Sequence, residues 1–253
     1  MVVSETTTIV LLAVNVLIAG LVVGAVARYG NRRELAAYGT AVAAWLAVMV
    51  VLAQRGTFVA KPQTVFPWIA VAIAAPVVAG AELLARSPSF RRLAAAVPLA
   101  ALVGVQLYRV VGAVFLFGMH DHQLPGVFAW PAGVGDVLVG LSAPVVAVLV
   151  ARRVRGAWTA AVVWCVAGIG DLVLAVAMGF LSSPSRFQAL AHGHANLISH
   201  YPYALVPVFA VPVSLVLHFV VIWRATLDEA RPMSASEWLA ASRAGAGAGV
   251  RAA

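Results

Sequence analysis

The chain is 253 residues long, 63% hydrophobic and 10% charged, with a formal net charge of +8 and a mean hydropathy of +0.98. Soluble globular chains are roughly 45–50% apolar and about 25% charged, so an ordinary soluble domain and a disordered protein are excluded. The basic residues lie in short clusters between long apolar runs rather than on one soluble face, which excludes a nucleic-acid-binding module and marks a polytopic membrane protein.

Seven apolar stretches, 8–27, 36–53, 68–84, 93–118, 127–150, 157–181 and 202–223, are long enough to cross a hydrocarbon core about 30 Å thick. Their continuity lacks the alternation of barrel strands, so the expected fold class is all-α, a polytopic seven-transmembrane-helix bundle. Residues 1–223 form the membrane domain and 224–253 a cytoplasmic, partly disordered tail, in which Pro232 and Ser234-x-x-Glu237 resemble a capping box.

Loop charge sets the orientation. Arg28, Arg32 and Arg33 follow the first pass, Arg86, Arg91 and Arg92 the third, and Arg152, Arg153 and Arg155 the fifth. The tail adds Arg224, Arg231, Arg243 and Arg251, whereas the opposite loops hold only Arg55, Lys61 and Arg186. The positive-inside bias places the N-terminus outside and the C-terminus in the cytoplasm. The inner arginines are expected to touch anionic membrane lipid. Ala25-Val26-Ala27 resembles a signal-peptidase site, but the segment before the first run has no Lys or Arg, and cleavage would leave the following arginines outside. The Arg/Ala/Val-rich composition, without eukaryotic targeting signals, points to a bacterial cytoplasmic (inner) membrane. The lone cysteine, Cys165, excludes an intrachain disulfide and a multi-cysteine metal site.

Charges at membrane depth are costly and each needs a partner or a purpose. Arg109 is 9 residues from Gly118, Asp136 is 9 from Val127, and Asp171 is 10 from Leu181, all at outer helix ends. At about 1.5 Å per residue all three lie roughly 14–15 Å deep, near the midplane. The aspartates share a local pattern, Ala132-Gly133-Val134-Gly135-Asp136-Val137 and Ala167-Gly168-Ile169-Gly170-Asp171-Leu172, on antiparallel passes, as a small inverted repeat would. The glycines allow close helix approach or leave room beside a carboxylate. With one cation and two carboxylates, the layer is either an ion-paired lock between three helices or a site where one aspartate carries a proton. Gln106, Tyr108 and Asn15 are candidate lining residues that equally fit interhelical hydrogen bonding.

Five of six histidines fall on the outer side. His120 and His122 flank Asp121, and His192, His194 and His200 follow in H-G-H-x5-H, spacings within chelating reach of a transition metal. Residues 182–201 are a candidate interfacial helix carrying His192 and His200 on one face. His218, in pass seven, reads as a satisfied packing histidine, and without a pair of axial histidines haem is not expected. Gly20-x3-Gly24 reads as a packing motif, Pro98, Pro131, Pro144, Pro207 and Pro212 as kinks, and 124–131 as an outer turn with Phe128 and Trp130 at the interface. Seven passes with the N-terminus outside resembles the topology of microbial rhodopsins. That family requires a Schiff-base lysine in the last helix, whereas the only lysine here is Lys61 in an outer loop, so no retinal is expected.

Three functions fit the sequence. The first is a small proton-coupled permease for a small molecule or ion, with Arg109, Asp136 and Asp171 forming a midplane site that opens outward. The second is a membrane-embedded metalloenzyme acting on a lipophilic substrate at the outer face, with the five outer histidines holding the metal. The third is an accessory or structural membrane subunit whose charges only fix helix packing.

Overall fold

A computed structural model describes residues 3–63, 67–224 and 227. Among them are eight helical segments and no strands: α1 (Glu5–Tyr29), α2 (Arg32–Gln54), α3 (Trp68–Arg86), α4 (Pro88–Ala96), α5 (Leu99–His120), α6 (Gly126–Ala151), α7 (Ala157–Ser182) and α8 (Val206–Arg224). All except α4 are long and apolar enough to span a membrane, so the protein is a seven-pass helical bundle. The tail expected beyond 223, with its Ser234/Glu237 capping box, lies outside the described residues apart from Arg224 and Leu227.

Large apolar side chains such as Val16, Phe117, Leu138, Val145 and Val163 are more than half exposed on the perimeter. Water would penalise such a surface, whereas hydrocarbon accommodates it. The two ends of the bundle differ in charge, and are called here the arginine-rich end, with Arg28, Arg86 and Arg152, and the arginine-poor end, with His120 and Ser185.

The fourth pass begins at Leu99 rather than at 93. Pro98 has no N–H to donate and holds Val97 extended, with ψ 130°, so the apolar run breaks into α4 and α5 instead of kinking. Ser87 caps α4 through Phe90 N, with Pro88 in its first turn. The three carbonyls of Ala94, Ala95 and Val97 accept from Arg224 Nη1, which ties the end of α8 to that break. Glu34 anchors the same end, accepting from Arg92, Ser89 and the backbone of Asn31.

The last pass is the centre of the bundle. Buried residues make up 67% of the α8 window but at most 39% in any other pass, and α8 packs against α1, α2, α3, α5 and α7. It opens with a π-helical turn, Val206–Ala210, while α5 tightens to a 3-10 coil over Val105–Ala113. Runs of 3-10 longer than three or four residues are uncommon, and both irregularities tend to mark strained or functional segments. Here the narrowed part of α5 lies close against α6. A Cβ on Gly140 would stand 2.7 Å from Val110 N, and one on Gly112 would collide with Asp136. By contrast, Gly20 and Gly24 have nothing within 4 Å, so the expected packing motif in α1 makes no helix contact.

Gly140→Ala should therefore destabilise the bundle by about 1–3 kcal/mol, the usual cost of overpacking. Gly170→Ala, with open space around it, should leave stability unchanged or slightly raised. Unfolding of both variants in mixed micelles checks the difference.

Candidate functional site

Arg109, Asp136 and Asp171 meet. Arg109 Nε donates to Asp136 Oδ1 at 2.8 Å and its Nη2 donates to Asp171 Oδ2. The arginine side chain is 2% exposed, against 11% and 13% for the two aspartates. One guanidinium thus spans α5, α6 and α7, and its planar fork is the reason an arginine can serve both carboxylates at once. The third nitrogen, Nη1, faces Gly168 O at 3.5 Å and His218 Nε2 at 3.4 Å. Helical side chains lean toward their own N-terminus. On α5 that direction is the arginine-rich end, so the guanidinium hangs toward α8 and reaches His218.

The glycines beside the aspartates make room for these charges, but unequally. A Cβ on Gly135 would run into the Asp171 carboxylate, and one on Gly168 would stand 2.6 Å from His218 Nε2 and 3.3 Å from Arg109 Nη1. Gly133 packs against Leu116, whereas Gly170 meets nothing within 4 Å. The two matching hexapeptides therefore occupy different surroundings, and the local repeat does not extend to its contacts.

His218 differs from its sequence reading. It is fully buried beside Trp164, ring centroids 5.1 Å apart, but it is not satisfied: Nδ1 has no partner. Arginine is only a donor, so Nε2 is the accepting atom in that contact. Ser214 and His218 are four apart and share one face of α8. That spacing was the available signal for a residue pair the sequence reading did not join to the site. Ser214 Oγ donates to Gln106 Oε1 at 3.0 Å, Gln106 Nε2 donates to Ser214 O at 3.2 Å, and the Tyr108 hydroxyl meets Ser214 Oγ. Gln106 and Tyr108 thus hold α5 to α8. Asn15 Nδ2 donates to Leu11 O, and its buried Oδ1 has no partner. Asn15, Tyr108, Arg109, Asp136 and Ser214 line a cavity of about 30 Å³, sufficient for an ordered water with several polar partners.

A second cavity, about 480 Å³, runs from Asp136 to the loops at the arginine-poor end, within the usual size range of ligand sites. Phe115, Phe128, Leu172, Val176 and Ile73 supply apolar wall, and the loops around Gly56–Lys61 and Ser183–Phe187 supply the mouth. Ala60 N donates to Ser199 Oγ at 3.1 Å, joining those two loop regions. Of the three charges in the layer, Asp136 alone lines this cavity, and it also lines the small one. Phe128, expected at the interface, is 3% exposed and packs edge-on to Phe115, while Trp130 is exposed.

The five histidines expected on the outer side are not gathered into one centre. Among the described residues no three His, Cys, Asp or Glu side chains form a group able to hold a metal. Residues 183–201 are turns rather than the expected interfacial helix, with Gly193 at φ 79°, so His192 and His200 do not share a helical face. His122 and His194 line a separate cavity of about 130 Å³. His200 has a buried, unpartnered Nδ1, and burial pushes its imidazole below the usual histidine range.

Residues 66–226 match the family described as Domain of unknown function (DUF8737), and the chain belongs to that family. The matched stretch runs through the last five passes and contains Arg109, Asp136, Asp171, Ser214 and His218. No curated protein and no solved structure matches the chain.

Replacing Arg109 by Ala leaves two buried carboxylates without their cation and should destabilise the protein by about 3–5 kcal/mol. Replacing all three charges together, Arg109→Met with Asp136→Leu and Asp171→Leu, should recover most of that loss, because no unpaired charge remains. Unfolding curves of the two variants in the same detergent test the contrast.

Proposed function

We propose that this family member is a small proton-coupled permease whose midplane charged layer forms the floor of a site opening at the arginine-poor end. One observation carries the reading. Asp136 is at the same time bonded to Arg109 and part of the lining of a 480 Å³ cavity. A charge layer that served packing alone has no need of a route to its carboxylate, and ionisable residues at membrane depth are functional sites by default.

The charge count supports proton coupling. One guanidinium between two carboxylates leaves a single uncompensated negative charge when both acids are ionised. In a low-dielectric layer that charge is costly, so the layer favours holding one further positive charge, a proton when nothing else is bound. The arginine-rich end faces the cytoplasm by the positive-inside bias, in the inner membrane of a bacterium. The site then opens to the outer side, and the nearby π-helical turn of α8, with Pro207 in the cavity wall, is the segment suited to rearrange during a transport cycle.

Proteoliposomes loaded with a pH-sensitive dye provide the test. Under an imposed pH gradient, a panel of aromatic amines, aromatic carboxylates, a sugar and alkali-metal ions should include at least one class that changes internal pH with the wild-type protein. Asp136→Asn and Asp171→Asn, purified as monodisperse protein, should abolish that response. A response that persists in both variants overturns the reading. So does silence across the whole panel, which would leave the triad as a helix lock.

A further inference from the structure

We propose that the large cavity binds a monovalent lipophilic cation, with its charged centre against the Asp136 carboxylate, and that its binding expels the proton held by the charged layer. The proposal rests on the permease reading and names the substrate class for the same site. The cavity is too large and too apolar for a bare metal ion. Calcium takes six to eight oxygen ligands and magnesium a near-ideal octahedron, whereas the walls here are Phe115, Phe128, Phe180, Leu172, Val176 and Ile73. An occupant that fills this space must itself be largely hydrocarbon, and aromatic rings, five of which line the cavity as phenylalanines, accommodate a cation better than an aliphatic wall does.

The sign of the charge follows from which layer members reach the cavity. Arg109 is turned away, its Nε and Nη2 committed to the two aspartates and its Nη1 directed at Gly168 and His218. An anionic group entering the cavity would meet Asp136 and find no uncommitted guanidinium edge. Lys61, the other ionisable residue in the lining, sits in the exposed loop at the mouth, where water and salt screen it. Deeper in, Asp136 is the one ionisable side chain in the lining, and its apolar surroundings strengthen its attraction for a cation once its proton has left. Gly112, Gly135 and Gly168 hold the layer close-packed, so the extra positive charge cannot be accommodated by moving Arg109 aside.

Charge balance then supplies the coupling. The layer is neutral with one added positive charge and carries a net positive charge with two. When the cation arrives, the carboxylic O–H bond breaks, the proton leaves to water through the cavity mouth, and the carboxylate pairs with the cation. No electrons move and no other reactant is consumed. The stoichiometry at the site is then one cation for one proton.

Tetraphenylphosphonium and tetraphenylborate, equal in shape and opposite in charge, test the proposal on full-length protein in detergent, with protein-free micelles as the blank. Calorimetry should show the phosphonium binding roughly tenfold or more tightly than the borate. In lightly buffered solution about one proton should be released per cation bound. Asp136→Asn should lose both the preference and the proton release, while Asp136→Glu should retain them. Lys61→Gln should leave the preference intact. Equal binding of the two ions, or a preference for the borate, overturns the proposal, and the wild-type comparison stands even where Asp136→Asn does not fold. In the proteoliposomes, a pH response to carboxylates or sugars without one to phosphonium overturns the cation class alone. Silence to every compound removes the permease reading beneath it.

Discussion

The guanidinium of Arg109 sits between two carboxylates in the middle of an apolar bundle, and much of the remaining structure is arranged around that contact. It joins three consecutive passes, α5, α6 and α7, at one level. Three charges can be buried together only if their supporting backbones come close enough for direct contact, because an intervening gap would leave each ion to pay its own desolvation. The narrowed coil of α5 and the glycines facing it answer that requirement. Gly112 faces Asp136, Gly135 faces Asp171 and Gly168 faces both Arg109 and His218, so the side chains missing at these positions are replaced by charged groups of a neighbouring helix.

The layer also explains why α8 is the central pass. A helix surrounded on most sides by other helices can be polar on one face without exposing that face to lipid. Ser214 and His218 occupy such a face, one bonded to Gln106 and Tyr108, the other beside Arg109. Residues that would be expelled from a peripheral helix are tolerated here, and the 67% burial of the α8 window is the geometric counterpart of that tolerance. The seam between α5 and α8 is consequently polar from Gln106 to His218.

What could be read in the sequence follows the same division. The seven passes were legible because hydrocarbon imposes a length and composition on each, and the common level at which Arg109, Asp136 and Asp171 pair followed from counting residues along each helix. The start of the fourth pass was misplaced because hydropathy does not register the backbone break at Pro98, which the missing N–H enforces. His218 was placed by its own depth in the seventh pass, yet what matters is the reach of a long arginine that leans toward its helix N-terminus. The roles of individual glycines were indistinguishable in sequence: Gly20 and Gly24 have the better-known spacing and touch nothing, while Gly112 and Gly140 have no pattern and lie at the closest approach. The cavity itself was not legible, since its walls come from loops and helices far apart in the chain.

The two aspartates look alike in sequence, and the difference between them is what gives the layer a direction. Both bind the same guanidinium, but α6 begins at the arginine-poor end and α7 at the arginine-rich end. Side chains leaning toward their helix N-termini therefore incline in opposite senses. Asp136 inclines toward the large cavity and lines it, whereas Asp171 inclines away and lies over Gly135. An antiparallel pair of identical motifs would at first suggest a symmetric site, open equally to both sides. Placing a single long cation between them breaks that symmetry, because one guanidinium cannot present the same edge to two oppositely inclined carboxylates. Both carboxylates hold the arginine, but only Asp136 also touches the cavity, which is the asymmetry a site needs if it is to be reached from one side of the membrane at a time.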